Sequence, residues 1–409
     1  MLLKETIRGI VLSQRGDILS SEYGIERELL GRIDENTPYA IVLSGVRRCG
    51  KSTLLRQIMK KAKKYCYFNF EDPKAAGFEL NDFQKLDEVF MEEYGEISHC
   101  FFDEIQNVSR WELFVRNKLD KGRKFIITGS NASLLSKELG TRLTGRHLNY
   151  ELFPFSFREF LKMKNGKPSI KTFDEYFKKG GFPEFLKYGK NEALQMLLND
   201  AIARDIVVRH RIKNARKIGE LATYLLTNAG KEFSYNSLKK IFGLGSPNSA
   251  IAFVSYFEDS YLLFTVPKFD YSMKKQIANP KKVYSVDTGL SNANSASFSE
   301  DKGRVLENSV FLHLKRQGGQ IFYFREDGEC DFLVKQNGKI KQAVQVCYEL
   351  TEDNKEREIK GLEEAMSRFG LKEGIILTYN DEDKINLASG NEIKVMPVWK
   401  WMLDETAFS

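Results

Sequence analysis

The segment Gly45–Thr53 combines two glycines, a lysine and a hydroxyl residue at the spacing of a phosphate-binding loop. It fills the pattern G-x-x-x-x-G-K-[ST]. In such a loop the backbone N–H groups and the start of a helix point at one spot that suits a polyphosphate. We expect Lys51 to reach the β- and γ-phosphates and Ser52 to offer its hydroxyl to Mg²⁺. The candidate nucleotide-contacting residues are Gly45, Val46, Arg47, Arg48, Cys49, Gly50, Lys51, Ser52 and Thr53.

Two carboxylates, Asp103 and Glu104, end a second apolar segment that begins at His99. A metal-linked carboxylate followed by one that activates water would explain this pair. We expect Asp103 to contact the metal through water and Glu104 to act as the general base. A strand that simply ends in a solvated acidic loop would give the same residues, but the phosphate-binding loop favours the chemical interpretation.

Three further polar residues are candidates for the same chemistry. Asn131 follows a third apolar segment, Lys124–Ser130, and we expect it to position the attacking water or to sense the γ-phosphate. Arg142 or Arg146 would serve as an arginine finger, acting within the chain or across a subunit boundary. Alternatively, Asn131 caps a helix and the two arginines are surface charge.

The elements around these residues predict an α/β fold. Tyr39–Leu43 indicates a buried strand before the loop, and Leu54–Met59 continues after it with helical spacing. Strands and helices alternate to about residue 150, which is typical of a parallel sheet covered on both faces. We therefore expect an ATPase-type core over residues 1–153.

Two helical regions are expected next. Residues 154–215 predict a helical lid, or a plain connector, with a sharp turn at Gly180–Glu184. Residues 216–280 predict three helices and a β wing, the pattern of a winged helix–turn–helix. Its third helix would begin near Ser246–Pro247, and basic support would come from Lys239, Lys240, Lys268, Lys274 and Lys275. Winged helices dock on proteins as well as on DNA, so both kinds of partner stay open.

Residues 281–409 predict a second, small α/β domain after a polar stretch at 291–297, interpreted as a mobile linker or loop. Its expected elements are a helix over 305–317, strands at 321–324, 330–334 and 343–346, a helix over 355–369 and a strand at 374–378.

Composition excludes several classes of protein. The 409 residues are 42% hydrophobic with a net charge of +7, which is compatible with nucleic acid as a partner but does not require one. Charge at Lys4 and Glu5 argues against a secretory signal, and no apolar run has membrane-spanning length. Five scattered cysteines and four histidines form no disulfide or zinc pattern. We expect a cytoplasmic protein without membrane contact.

The chain resembles the AAA+-like P-loop ATPases of archaea and bacteria. The resemblance rests on Gly45–Thr53, Asp103–Glu104, Thr128–Asn131, Arg142, Arg146 and Gly180–Glu184. It implies ATP and Mg²⁺ as cofactors. The tail resembles the nuclease-like domain of the restriction-endonuclease superfamily, PD-(D/E)xK, that such ATPases often carry.

The tail departs from that superfamily at one element. Glu307 and Asp331 match the metal-binding acids, but the Glu-x-Lys element reads Gln345-Val346-Cys347. Since a carboxylate and the lysine are missing, we expect a degenerate nuclease-like site at Glu307, Asp331 and Gln345, unless Lys335 or Lys341 replaces the lysine.

Three functions are consistent with these features. The first is an ATPase that couples its nucleotide state to a DNA-binding winged-helix and nuclease-like module. The second is an ATP-gated, Mg²⁺-dependent nuclease, and the third is a signalling ATPase that acts on a protein partner. A homo-oligomer is compatible with each, and a finger acting across subunits would require one.

Overall fold

The computed structural model describes residues 1–130, 145–296 and 301–404. The chain divides into two compact units. Unit 1 is Met1–Phe153 with Asp259–Tyr261, and unit 2 is Pro154–Glu258 with Leu262–Ser409. Within the described ranges, no helix has both the length and the apolar character needed to cross a membrane.

Unit 1 alternates strands and helices, as the sequence predicts. Its helices are α1 (Lys4–Ser20), α2 (Lys51–Met59), α3 (Asp82–Tyr94) and α4 (Trp111–Leu119), with 3-10 turns at Glu28–Arg32, Pro73–Ala75 and Ile105–Asn107. Its strands are β1 (Ala40–Ser44), β2 (Tyr65–Asn69), β3 (His99–Asp103), β4 (Lys124–Gly129) and β5 (His147–Glu151). They form one parallel sheet in the order β2-β3-β4-β1-β5. The predicted α/β class with a parallel-sheet core is confirmed.

Apolar side chains explain why this sheet forms. All five residues of β1 are buried, as expected of a strand covered on both faces. Alternate strand residues enter one apolar cluster with α1, α3 and α4, among them Ala40, Val42, Cys100, Phe102, Phe125 and Ile127. Because parallel strands β1, β4 and β3 are neighbours, their carboxyl ends meet at one edge. That edge carries the loop after β1 and the acidic pair after β3.

Unit 2 begins with helices. They are α5 (Phe157–Lys164), α6 (Ile170–Lys179), α7 (Pro183–Tyr188) and α8 (Asn191–Asp200), followed by a π-helix at Ala201–Val208. The predicted turn at Gly180–Gly181 separates α6 from α7. A Cβ at Gly181 would lie 2.2 Å from the Phe155 backbone oxygen, so only glycine fits there. The Gly181 N–H donates to the Asp287 carboxylate at 2.6 Å. Burial raises the pKa of Asp287 to about 6.

A three-stranded antiparallel sheet follows, in the order β6-β8-β7. Its strands are β6 (Glu232–Phe233), β7 (Leu263–Pro267) and β8 (Lys281–Ser285). Helices α9 (Ala215–Thr227), α10 (Tyr235–Phe242), α11 (Pro247–Asp259) and α12 (Met273–Ala278) lie between or before these strands in the chain.

The remainder of unit 2 builds a six-stranded mixed sheet in the order β13-β14-β12-β11-β10-β9. The strands are β9 (Gln320–Arg325), β10 (Glu329–Gln336), β11 (Lys339–Val346), β12 (Glu373–Thr378), β13 (Asp383–Asn386) and β14 (Glu392–Pro397). The helices are α13 (Thr288–Asn294), α14 (Lys302–Gln317), α15 (Glu352–Phe369) and α16 (Val398–Trp401). The predicted second α/β element set is present, and β13 and β14 are additional.

The prediction of a mobile linker or loop over 291–297 was wrong for residues 291–294, because these belong to α13. The Asp287 side chain caps this helix by accepting the Leu290 N–H at 2.9 Å. Thr288, Gly289 and Leu290 are buried. A capping aspartate and three buried residues therefore outweigh the helix-poor composition of this segment.

Candidate nucleotide-binding site

The loop between β1 and α2 has the backbone geometry of a phosphate cradle. Gly50, with φ 102°, adopts a left-handed conformation directly before α2, and Gly45 has φ 150°. A Cβ at Gly45 would lie 2.1 Å from the Leu152 backbone oxygen. Both glycines are therefore required, one for the turn and one for the close approach of β5. The loop ends at the N-terminus of α2, where the backbone N–H groups of the helix favour a bound anion.

Lys51 lies at the mouth of this loop. Its ammonium donates to the backbone oxygens of Gly45 at 3.1 Å and Val46 at 3.2 Å. The same nitrogen is 3.7 Å from a carboxylate oxygen of Glu104, and the side chain is only 4% exposed. The lysine from the loop and the carboxylate that follows β3 therefore lie close together at the same edge of the sheet.

Asp103 is fixed at the end of β3 by three hydroxyl groups. The Thr128 hydroxyl donates to one carboxylate oxygen, and the Tyr67 hydroxyl donates to the other at 3.2 Å. Ser52 also hydrogen-bonds to this carboxylate. Burial and the nearby Glu104 charge raise the pKa of Asp103, while Thr128, Ser52 and Lys51 oppose that shift.

Glu104 adopts a left-handed conformation, with φ 51°, so its side chain leaves the line of β3. Its backbone N–H donates to the Thr128 hydroxyl at 2.9 Å. Its carboxylate accepts a hydrogen bond from the Gln106 amide, which also lies 3.4 Å from the Ser130 hydroxyl. Thr128 therefore bridges the two acidic residues, and Gln106 holds the second one. Neither role was predicted from the sequence.

A buried arginine, Arg27, holds the backbone of the loop by hydrogen bonding. Arg27 is 2% exposed and donates to the backbone oxygens of Cys49 at 2.7 Å and Phe153 at 2.6 Å. Its own N–H donates to the side chain of Gln57 on α2 at 3.2 Å. This role could not be predicted from the sequence, because a single arginine before β1 resembles any surface charge.

The residues fit Mg²⁺ bound together with a polyphosphate. Ser52 and Asp103 line an open groove of about 460 Å³, together with Tyr67, Asn69 and Glu71. Within the described ranges, no group of three or more histidine, cysteine or acidic residues has metal-binding geometry. A metal at this edge would therefore combine Ser52 and Asp103 with phosphate and water oxygens, which is how proteins usually hold Mg²⁺.

Of the three remaining candidates of this site, the structure describes only Arg146. Asn131 and Arg142 lie outside the described residues. Arg146 precedes β5, and its backbone oxygen accepts the N–H of Ala40 at the start of β1. Its side chain pairs with Asp120. Arg146 thus lies at the amino edge of the sheet, opposite the loop. The role of Arg146 as a finger stays a prediction, and its position at this edge favours action across a subunit boundary over action within its own chain.

A second polar cluster lies in unit 2 and contains the three predicted nuclease-like residues. Asp331 accepts the Val346 N–H at 3.0 Å and donates its own N–H to the Gln345 side chain at 3.1 Å. The lysine that contacts Glu307 and Asp331 is Lys282, at 2.9 and 2.7 Å. The sequence offered Lys335 or Lys341 only as exceptions to a missing lysine, whereas the contacting ammonium comes from Lys282. Lys282 could not be identified from motif spacing, because it lies on β8 and not on the elements that carry the motif.

The electrostatics of this cluster follow from burial. Burial and the neighbouring Asp331 charge raise the pKa of Glu307, while Lys282 opposes that shift. The carboxylates raise the pKa of Lys282 well above its ordinary value despite its burial. The Gln345 amide donates to Glu358 at 2.7 Å. Burial raises the pKa of the Cys347 thiol, so this side chain is neutral at pH 7 and cannot replace the lysine's positive charge.

Family models match three successive parts of the chain. They are an AAA domain at residues 37–161, and two domains of unknown function, DUF8612 at 170–301 and DUF4143 at 302–401. The AAA match covers the loop, β3 and β4. It supports a nucleotide-binding P-loop core of the AAA+ type, as the sequence predicted.

Curated relatives match over most of their length. The uncharacterized protein MJ1544 of Methanocaldococcus jannaschii is 39% identical over 396 residues, covering 88% of this chain and 88% of that protein. An uncharacterized protein of Haemophilus influenzae is 29% identical, covering 79% and 86%. Among solved structures, AMPPCP-bound DnaA from Aquifex aeolicus is 15% identical, covering 56% and 86%, with a TM-score of 0.29. The identity and coverage of the archaeal relative show that the chain belongs to the family of MJ1544.

Proposed function

We propose that the protein is a Mg²⁺-dependent ATPase that hydrolyses ATP at the carboxyl edge of the unit 1 sheet. One observation carries this proposal. The Lys51 ammonium, the Ser52 hydroxyl and the carboxylates of Asp103 and Glu104 converge beside a glycine loop at a helix N-terminus. This set of groups can bind phosphates, hold a hard cation and accept a proton from water.

The chain's own residues would act in the following way. Lys51 would exchange its contacts with Gly45 and Val46 for the β- and γ-phosphate oxygens. Mg²⁺, when bound, would neutralise phosphate charge, held by Ser52 directly and by Asp103 through water. Glu104 would leave Lys51 and accept the proton of the attacking water. Asn131 would position that water, and Arg142 or Arg146 would act across a boundary between copies.

Unit 2 would transmit the nucleotide state to a partner. The helices α9, α10 and α11 with the β6-β8-β7 sheet support the winged-helix interpretation, in which α11 enters a DNA groove. Asn248 near its start and Lys240, Lys274 and Lys275 are exposed. We propose double-stranded DNA as the partner, and we retain the division into a core (1–153), a helical lid (154–215), a winged helix (216–280) and a nuclease-like domain (281–409).

We propose that the nuclease-like domain does not cleave nucleic acid. Its order of elements, from α14 through β9, β10, β11 and α15 to β12, supports the relationship to the restriction-endonuclease superfamily. However, a lysine contacts the acids that would bind the metal, and Gln345 is engaged with Glu358. These contacts favour a binding role over an ATP-gated nuclease.

The test is ATP turnover by the purified full chain, with and without double-stranded DNA, alongside its mass in solution. We expect turnover that depends on Mg²⁺, rises with DNA and is lost in Glu104→Gln. If DNA neither binds the protein nor alters its ATP turnover, we would propose a protein partner instead, as in a signalling ATPase. Absence of Mg²⁺-dependent turnover under all these conditions would contradict the proposal.

A further inference from the structure

A tyrosine occupies the position after α11 at which helices ordinarily end in glycine. Tyr261 has φ 56°, a left-handed conformation that residues with a Cβ disfavour. The Leu262 N–H donates to the Phe257 backbone oxygen at 3.0 Å, which is the hydrogen bond of a Schellman motif with Tyr261 at its left-handed position. Glycine is the usual residue there, because it adopts this conformation at no steric cost. Helix termination alone therefore does not explain a tyrosine at this position.

The Tyr261 side chain contacts the strand that leads into the phosphate-binding loop. The segment Asp259–Tyr261 belongs to unit 1, and Tyr261 is 2% exposed. Its hydroxyl donates to the Ser44 hydroxyl at 2.7 Å, and the Ser44 hydroxyl donates to the side-chain oxygen of Asn149 at 2.8 Å. Ser44 is the last residue of β1 and directly precedes Gly45. The tyrosine therefore holds the residue at which the loop begins.

Ser44 and the loop also share contacts with the chain that follows β5. The Ser44 backbone oxygen accepts the Leu152 N–H at 2.7 Å, and the Cys49 thiol lies 3.3 Å from the Leu152 backbone oxygen. Ser44 and Cys49 are both fully buried. The end of β1, the loop and the Tyr261 hydroxyl thus form one connected group in the interior of unit 1. A movement of the loop on binding phosphate would reach Tyr261 through Ser44.

The chain on both sides of the Asp259–Tyr261 segment is anchored in unit 2. Before the segment, the Glu258 carboxylate accepts the Thr265 N–H at 2.9 Å and the Thr265 hydroxyl at 2.8 Å. After it, the Leu262 backbone oxygen accepts the Val286 N–H at 3.2 Å. Tyr261 is therefore joined to α11 and β7 by chain that is itself hydrogen-bonded, and a displacement of Tyr261 would pass directly to both elements.

We propose that Tyr261 is a positioning residue that couples the nucleotide state of the loop to the end of α11 and the start of β7. The inference rests on the proposed ATPase function and names the residue through which unit 2 responds to nucleotide. Residues other than glycine persist in the left-handed conformation when their surroundings hold them there, and they cluster at switch regions. Because coupling between two binding sites is reciprocal, a partner bound at α11 changes the affinity for MgATP by the same factor.

Hydrogen exchange of the full chain, with and without the Mg²⁺ complex of the non-hydrolysable analogue AMPPCP, measures this coupling. We expect the analogue to slow exchange in peptides from residues 257–266 at least about fivefold in the wild type, the lower end of typical coupling between two sites. Tyr261→Phe removes only the hydroxyl and should reduce this response to less than about twofold, while calorimetry still shows that the analogue binds. Tyr323→Phe is the matched control, because it removes a hydroxyl that donates to the Pro280 backbone oxygen at 2.9 Å within unit 2, and it should respond as the wild type.

Ser44→Ala removes the other partner of the same hydrogen bond and covers the case in which Tyr261→Phe folds poorly. It should lose the response to the same extent, and the double variant should be no worse than either single one, since both act through one contact. The inference is overturned if the wild type binds the analogue without a change in these peptides, or if either folded variant responds as the wild type does. A wild type that gives no heat with the analogue would contradict the ATPase proposal itself, and the inference would fail with it; calorimetry therefore distinguishes the two failures.

Discussion

Thr128 is the residue whose replacement should disturb the acidic pair most selectively. Its side-chain oxygen donates to Asp103 and accepts the N–H of Glu104, and the residue is fully buried on β4. Thr128→Val keeps the shape of the side chain and removes both hydrogen bonds. Thr128→Ser keeps the hydroxyl and removes one methyl group, and it is the matched control.

The magnitude follows from the two lost contacts. A hydrogen bond to a carboxylate contributes about 1.5–3 kcal/mol, and a buried N–H left without a partner costs about 1–3 kcal/mol. The valine variant should therefore destabilise this edge of the sheet by about 3–5 kcal/mol. The serine variant should lose about 1 kcal/mol, which is typical of one buried methyl group. A difference of about 3 kcal/mol between the two corresponds to a factor of about 100 in an opening equilibrium.

Hydrogen exchange followed by mass spectrometry measures that opening in peptides from β3 and β4. We expect these peptides to exchange about 100-fold faster in Thr128→Val than in Thr128→Ser. The Mg²⁺ concentration for half-maximal ATP turnover should rise about 10–100-fold, as for other residues that orient a metal ligand. If Thr128→Val matched Thr128→Ser in both measurements, the hydroxyl would not organise Asp103 and Glu104.

Three further predictions concern other parts of the chain. Burial, with the charges of Arg316 and Arg158, lowers the pKa of His313 to about 3, so between pH 3 and 6.5 the unfolded chain binds more protons than the folded one. The contribution of His313 to the free energy of unfolding is therefore present above pH 6.5 and falls by about 2 kcal/mol on going to pH 5. Chemical denaturation at both pH values should show a shallower pH dependence in His313→Gln than in the wild type. Gly181→Ala should lower stability by about 1–3 kcal/mol, because its Cβ would meet the Phe155 backbone oxygen. As a control, Gly219→Ala on α9, whose Cβ meets nothing within 4 Å, should raise stability by about 0.5–1 kcal/mol. Equal melting temperatures of the two variants would contradict the steric explanation. Arg27→Met should weaken MgATP binding about tenfold, since two backbone oxygens of unit 1 lose their buried donor; unchanged affinity in calorimetry would show that Arg27 does not shape the loop.

The nucleotide site could be predicted from the sequence because its signals are local. The glycine loop, its flanking strand and helix, and the carboxylates after β3 each occupy a few consecutive residues. The parallel sheet then brings these segments together, since carboxyl ends of neighbouring parallel strands share one edge. The alternation of strands and helices therefore predicted the fold class and which of these segments share one edge of the sheet.

The other contacts depend on residues far apart in the chain. Lys282 is 25 residues from Glu307 and 49 from Asp331, and Arg27 is 126 from Phe153. No short pattern encodes such pairs. Arg146 was assigned from its residue type alone, without the strand direction that places it at the opposite edge. Strands β13 and β14 were missed because Asp383–Asn386 and Glu392–Pro397 are short and rich in charge.

Binding of MgATP at Gly45–Thr53 is tested most directly by isothermal titration calorimetry of the full chain against Lys51→Ala. The Lys51 ammonium bonds to two loop oxygens and pairs with Glu104, which all belong to the site, so its removal should spare the fold. We expect one MgATP per wild-type chain and at least about tenfold weaker binding in Lys51→Ala, equivalent to about 1.4 kcal/mol. A wild type that gives no heat with MgATP, or a variant that binds it equally well, would contradict the assignment of this loop as the nucleotide site.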